Sequence, residues 1–153
     1  MTKRAIIVVD IQNEYFPGGK LLLEGIDEAA SNAAKVIEHA RSANELVVYI
    51  QHESADPEIP FFIPGTQEVA IHPTVAPLEQ ETVLVKHFPN SFRESGLKAL
   101  LDEQSIEEVV IIGATMDLEF DDVTVPASQV HATIMAALAF AYGTVTTTEN
   151  YIG

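Results

Sequence analysis

The chain opens with an uninterrupted apolar run, Ala5 to Val9, which ends on Asp10. The absence of polar alternation is typical of a strand that is covered on both faces, as in a parallel sheet under helices. An acid directly after such a strand lies at the edge where open α/β sheets bind their ligands. Position alone leaves two interpretations open: a functional carboxylate at that edge, or a helix cap or solvated strand end.

Similar apolar strands recur along the chain and alternate with helical patterns, which predicts an α/β fold built from right-handed βαβ units. The further predicted strands are Leu46–Ile50, Thr82–Val85, Glu108–Ile112 and an edge strand over Thr144–Thr148. The predicted helices cover residues 28–41 with Asp27 as N-cap, about residues 96–104, and Pro126 to about Tyr142.

Composition narrows the range of partners. The chain has 153 residues, enough for one domain with a sizeable core, and its formal net charge is −15. So acidic a surface makes nucleic acid an unfavourable partner. The sequence contains no long apolar run and no signal-peptide pattern, so we expect a cytoplasmic protein that does not bind membranes and acts on a small molecule. Cysteine is absent, which excludes disulfides and thiolate metal sites within this sequence.

Lys86 follows the third predicted strand just as Asp10 follows the first. If those strands are parallel, both side chains lie at the same edge of the sheet and can share one crevice. The long, proline-containing connection between residues 51 and 80 carries two adjacent aromatic residues, Phe61 and Phe62. A loop of this length is usually functional. These rings can cover a pocket, contact a partner subunit, or form a small apolar cluster under the loop.

Three stretches resemble motifs of the isochorismatase-like cysteine hydrolases: Val8–Phe16, Lys86–Phe92, and the fourth strand with Gly113 and Ala114. The resemblance implies a three-layer α/β/α Rossmann-like sandwich around a mostly parallel sheet, and a homo-oligomer. It implies hydrolysis of a small amide or of the vinyl ether of isochorismate by an aspartate, a lysine and a cysteine. The aspartate carries over to Asp10 and the lysine to Lys86. The implied substrate pocket consists of Gln12, Tyr15, Phe16, Phe61, Phe62, Phe92, Gly113 and Ala114.

The family's cysteine has no counterpart in this chain. In the family it follows the glycine-alanine turn at the start of a helix, where the helix terminus and the lysine lower the thiol pKa. Here Ala114 continues directly into residues 115–132, which resemble a later part of the family pattern. We therefore predict a single domain over residues 1–153 that lacks one helix and one strand, roughly 25–30 residues, at the 114/115 junction. An ungapped alternative places Glu119 at the cysteine position.

No cofactor is predicted. The segment Gln51–Asp56 lacks the aspartate-x-histidine pattern with which nicotinamidases of this family hold a metal, and no glycine-rich nucleotide motif is present. His52 ends the second strand and can line the crevice. Two functions from different classes stay open. One is a hydrolase whose nucleophile segment this chain lacks, and the other is a non-catalytic remnant that binds a small molecule or assembles through its last helix.

Overall fold

The structure is a computed structural model that describes residues 2–114, 118–120, 123–125 and 144–153. The chain divides into two compact units, Met1–Ala114 and Thr115–Gly153. The boundary between the units falls at the junction where the sequence predicts a deletion. The prediction of a single domain over residues 1–153 stays a prediction.

The first unit is an α/β unit whose four strands form one parallel sheet in the order β3-β2-β1-β4. Two short 3-10 turns, Asn13–Tyr15 and Pro73–Val75, lie in its loops. The four strands confirm the strands predicted from apolar runs. In chain order the elements are β1 (Arg4–Val9), α1 (Ile26–Ser42), β2 (Leu46–His52), β3 (Thr82–Lys86), α2 (Leu97–Glu103) and β4 (Glu108–Gly113).

The sheet is covered on both faces. The face that carries Ala5, Ile7, Val48 and Ile50 packs against the buried leucines of α2. Alternation sends Ile6, Val8, Val47 and Tyr49 to the opposite face, where α1 packs on β1, β2 and β4. The apolar stripe of α1 is rich in small side chains, which lets the helix approach the sheet closely; its buried residues are Ile26, Ala30, Ala33, Val36, Ile37 and Ala40.

The second unit contains a short antiparallel hairpin, β5 (Leu118–Phe120) and β6 (Val123–Val125), and a terminal helix, α3 (Thr148–Ile152). The predicted edge strand over residues 144–148 is wrong. Residues 144–147 are irregular, and the Thr147 side chain accepts the Asn150 N–H and caps α3. Threonine's capping ability therefore prevails over its β propensity. The predicted helix over residues 126–142 lies outside the described residues.

The predicted N-cap of α1 is also wrong. Gly25 caps the helix with a left-handed φ of 75°, and Asp27 lies in the first turn, where its charge interacts favourably with the helix dipole. In the part of the chain that the structure describes, no helix has the length and apolarity needed to cross a membrane.

The outer strand β4 has an exposed apolar stripe. Its register with β1 pairs Val109 with Ala5 and Ile111 with Ile7, so the side chains of Val109 and Ile111 lie on the face that α2 covers. Nevertheless Val109 is 39% exposed and Ile111 is 55% exposed. Helix α2 therefore covers the middle of this face but leaves the β4 side of it open to solvent.

Candidate active site

Asp10 and Lys86 meet at the carboxyl edge of the sheet. Lys86 is the last residue of β3 and Asp10 follows β1, and both strands flank β2. The Lys86 Nζ lies 2.8 Å from the Asp10 Oδ2, and the two side chains are only 3% and 13% exposed. Lys86 also donates to the Pro89 carbonyl and to the Ser91 hydroxyl, at 3.2 and 3.4 Å. The loop after β3 thus holds the ammonium group in place.

Asp10 has the features of a poised proton acceptor. Its backbone has a left-handed φ of 57°, unusual for a residue other than glycine, and its N–H donates to the Ile50 carbonyl. Its Oδ1 is buried and has no hydrogen-bond partner among the described residues. Burial raises the pKa of the Asp10 carboxyl, and the nearby Lys86 charge offsets only part of that rise. A group brought to Oδ1 would therefore meet a carboxylate of increased basicity.

The end of β4 lies directly beside Asp10. The Ala114 N–H donates to the Val9 carbonyl at 3.1 Å, one residue before Asp10. A Cβ atom at Gly113 would overlap the Val9 backbone, so this close approach of two strands requires glycine. Gly113 and Ala114 therefore lie at the carboxyl edge of the sheet beside Asp10, and their contact with substrate stays a prediction. The end of β4 therefore lies next to the acid.

An aromatic cluster, called the aromatic wall below, lies beside the Asp10–Lys86 pair on the side of β2. We define the wall as Tyr15, His52, Phe61 and Phe62. The Phe62 ring packs edge-on against Tyr15, His52 and Phe61, with ring centroids 5.5, 4.9 and 5.9 Å apart. Burial raises the pKa of the Tyr15 hydroxyl, with further contributions from Asp10 and Glu14, so this group stays protonated.

His52 belongs to the site more directly than the sequence alone indicates. It ends β2 and stands in register with Lys86 on β3. Burial lowers the pKa of His52 to about 4, and the neighbouring charges of Lys86 and His87 add to the effect. At neutral pH the imidazole is therefore uncharged, which allows one ring nitrogen to accept and the other to donate a hydrogen bond.

Three further residues that the sequence predicts for the pocket have other surroundings: Gln12, Phe16 and Phe92. Gln12 is fully buried and bonds to backbone: its amide donates to the His52 and Val69 carbonyls and accepts the His52 N–H. Phe16 stacks on His72 with ring centroids 3.5 Å apart and lines a separate cavity of about 200 Å³. Phe92 is 43% exposed. These contacts give Gln12 a positioning role, and contact of the three residues with substrate stays a prediction.

Sequence reasoning missed one residue, Glu14. It lies in the turn after β1 and is 1% exposed. Its only sequence signal is its place within the opening motif, where an acid precedes two buried aromatic residues. As for metals, no group of three or more histidine, aspartate or glutamate side chains in the described residues has a metal-binding arrangement.

The chain belongs to the isochorismatase family, because the model of the isochorismatase domain matches residues 4–121. The resemblance of its motifs and its α/β fold class are thereby confirmed. An uncharacterized isochorismatase family protein of Bacillus subtilis is 39% identical over 176 aligned positions, which cover 97% of this chain and 98% of the relative. A crystal structure from Oleispira antarctica, assigned to the isochorismatase hydrolases, has a TM-score of 0.85 at 36% identity. The superposition covers 99% of this chain and 96% of the chain from Oleispira antarctica.

Two further relatives carry specific names. Maleamate amidohydrolase of Pseudomonas putida is 29% identical over 127 positions, which are 74% of this chain and 60% of the relative. N-carbamoylsarcosine amidase of Thermoplasma acidophilum has a TM-score of 0.66 at 27% identity, with 89% of this chain and 78% of that chain covered. Both names describe hydrolysis of a C–N bond in a small molecule.

Proposed function

We propose that Asp10 and Lys86 belong to the active site of a hydrolase for a small amide. The nucleophile of this enzyme would be a cysteine on a segment that the 153-residue chain lacks between Ala114 and Thr115. The observation that carries the proposal is the buried Asp10–Lys86 pair with a free carboxylate oxygen, Asp10 Oδ1. The two relatives named as an amidase and an amidohydrolase support an amide as the substrate.

The Asp10–Lys86 pair would supply a base that accepts the thiol proton and a positive charge that stabilises the thiolate. Asp10 Oδ1 would accept the thiol proton, and the thiolate would attack the carbonyl carbon to form a tetrahedral oxyanion. The protonated Asp10 would then give its proton to the leaving amine as the C–N bond breaks. Water would hydrolyse the remaining thioester and regenerate the thiol. Throughout, the Lys86 ammonium would stabilise the thiolate and the developing negative charge.

The exposed apolar stripe of β4 supports the proposal that this chain lacks a helix. Helix α2 connects β3 to β4 and lies on the face of Val109 and Ile111. A right-handed crossover that continues in the same direction, from β4 to a strand beyond it, places its helix on this same face. Such a helix would cover Val109 and Ile111, and it would begin after Ala114, beside Asp10.

The alignment with the Bacillus subtilis relative supports a missing segment of the length predicted from the sequence. It spans 176 positions, whereas 97% of this chain amounts to about 148 residues. About 28 aligned positions of the relative therefore have no residue in this chain. This length matches one helix and one strand.

The ungapped alternative with Glu119 fits the structure poorly. Glu119 lies in β5, where it pairs with Thr124 of β6 in an antiparallel hairpin. The family position would require it at the start of a helix that follows Ala114. A nucleophilic Glu119 is therefore not part of the proposal.

A second candidate function follows from the absence of cysteine in the 153 residues. Taken as it stands, the chain would bind a small molecule at the Asp10–Lys86 edge without hydrolysing it. Thiol titration of the unfolded natural protein separates the two candidates. At least one titrating thiol supports the hydrolase, and none supports the non-catalytic protein.

Supplying the segment should create amidase activity. We expect measurable hydrolysis of maleamate or another small amide after insertion, between Ala114 and Thr115, of a helix-and-strand segment that carries a cysteine at the start of its helix. The inserted thiol should also react with iodoacetamide faster than free cysteine at pH 6, because Lys86 and the helix terminus lower its pKa. The control is the same insertion with its cysteine replaced by alanine. A well-folded insertion variant with an ordinary thiol and no amidase activity would contradict the proposal.

A further inference from the structure

We propose that Glu14 is a positioning residue whose buried carboxylate holds Phe62 against His52 and so keeps the aromatic wall closed beside Lys86. The wall lies beside the Asp10–Lys86 pair, so its relevance to substrate rests on the proposed function. The positioning itself can be measured without turnover and without a cysteine.

The Glu14 carboxylate joins two loops to the turn after β1. Its Oε2 accepts the Phe62 N–H at 3.0 Å, and its Oε1 accepts the Lys20 N–H at 3.2 Å. Its own backbone N–H donates to the Glu68 carbonyl at 2.7 Å. No basic side chain bonds to this carboxylate within the described residues. The buried charge is therefore stabilised by backbone donors, which makes it a fixed anchor for both loops.

Phe62 needs such an anchor because its backbone is strained. It has a left-handed φ of 54°, which is costly for a bulky residue. Two bonds hold it: the N–H bond to Glu14, and a bond from the Ser54 N–H to the Phe62 carbonyl at 2.8 Å. Loss of the bond to Glu14 would let the backbone relax toward an ordinary conformation and move the ring.

The Phe62 ring transmits this constraint to His52. It is 3% exposed and packs edge-on against the imidazole. The backbone of His52 is held independently by Gln12, so the side chain is the part that can respond. The charged or titratable neighbours that act on the imidazole are Lys86 and His87. When the ring moves away, water reaches the imidazole and its protonated form becomes less unfavourable.

Proton NMR titration of His52 tests the inference. In the wild-type chain its pKa lies at about 4. We expect Glu14→Gln, which can accept only one of the two N–H bonds, to raise it by about one unit or more toward the ordinary value. The direction of the change in the His52 pKa is diagnostic, because loss of a negative charge alone would lower the pKa of a histidine. The control is Glu58→Gln, which removes the same charge from an exposed residue of the Phe62 loop and should leave the His52 titration within about 0.2 units.

Phe62→Leu keeps the test decisive if Glu14→Gln does not fold. It leaves the carboxylate intact and removes the ring, so it should raise the His52 pKa in the same way. An unchanged or lowered His52 pKa in folded Glu14→Gln, or an unchanged value in Phe62→Leu, would overturn the inference. Neither result would affect the proposed hydrolase function, which the iodoacetamide reaction of the insertion variant tests separately.

Discussion

Asp10→Asn should lower kcat for amide hydrolysis about 10²- to 10⁴-fold in the protein that carries the nucleophile segment. The amide side chain has nearly the same shape as the carboxylate, so the crevice should keep its form. However, it cannot accept the thiol proton at Oδ1 or return it to the leaving amine. The thiolate fraction and the rate of proton transfer both fall. We therefore expect a lower kcat with little change in KM. Steady-state kinetics with a small amide measures both.

The matched control for this substitution is Asp102→Asn. Asp102 is an exposed acid on α2 that pairs with Lys98, one turn away on the same surface. Its replacement removes the same charge and should change kcat less than twofold, because exposed ion pairs contribute little. If folded Asp10→Asn kept more than about a tenth of the wild-type kcat, the role of Asp10 as the base would be refuted.

Lys86→Met should destabilise the fold by about 3–5 kcal/mol at pH 8. The methionine replaces most of the apolar stem, so the main effect is the loss of the ammonium group that faces the buried Asp10 carboxylate. Burial already raises the pKa of Asp10, and without Lys86 it rises further. The folded protein then binds a proton more tightly than the unfolded chain does. The destabilisation should therefore shrink as the pH falls and Asp10 becomes neutral.

Urea unfolding of a small set of variants measures this effect. The double variant Asp10→Asn with Lys86→Met should recover most of the lost stability, because no uncompensated charge stays buried. Lys98→Met is the control, since its partner Asp102 is exposed and its loss should cost about 0.5 kcal/mol or less. A Lys86→Met variant no less stable than Lys98→Met would show that the buried pair does not control the site's energetics.

The sequence predicts the sheet well because its signal is local. Each apolar run is long enough to form one strand of a sheet that is covered on both faces. The alternation of strands with helices indicates that the strands are parallel. Parallel strands end at one edge, so the meeting of Asp10 and Lys86 follows from their positions after two strands. The three-dimensional contact between them is seen in the structure, whereas their catalytic roles stay predictions.

Two features that the sequence did not predict, the burial of Glu14 and the uncharged state of His52, depend on contacts between distant segments. Glu14 is buried because two loops, at Lys20 and Phe62, bring their N–H groups to it. The uncharged state of His52 arises from burial and from Lys86 on the neighbouring strand. The incorrect helix cap at Asp27 has a local cause, since Gly25 can adopt the left-handed conformation that starts α1 two residues earlier. None of these effects follows from residue type alone.

The proposed hydrolase requires an internal segment with the nucleophile at the 114/115 junction. The intact mass of the natural protein, combined with peptide mapping across Ala114, tests it most directly. We expect a mass above the 16.7 kDa of this chain by about 3 kDa, with the additional residues and a cysteine mapped between Ala114 and Thr115. A mass of 16.7 kDa, with a peptide that joins Ala114 directly to Thr115, would contradict the hydrolase mechanism and leave a protein that binds its ligand without cleaving it.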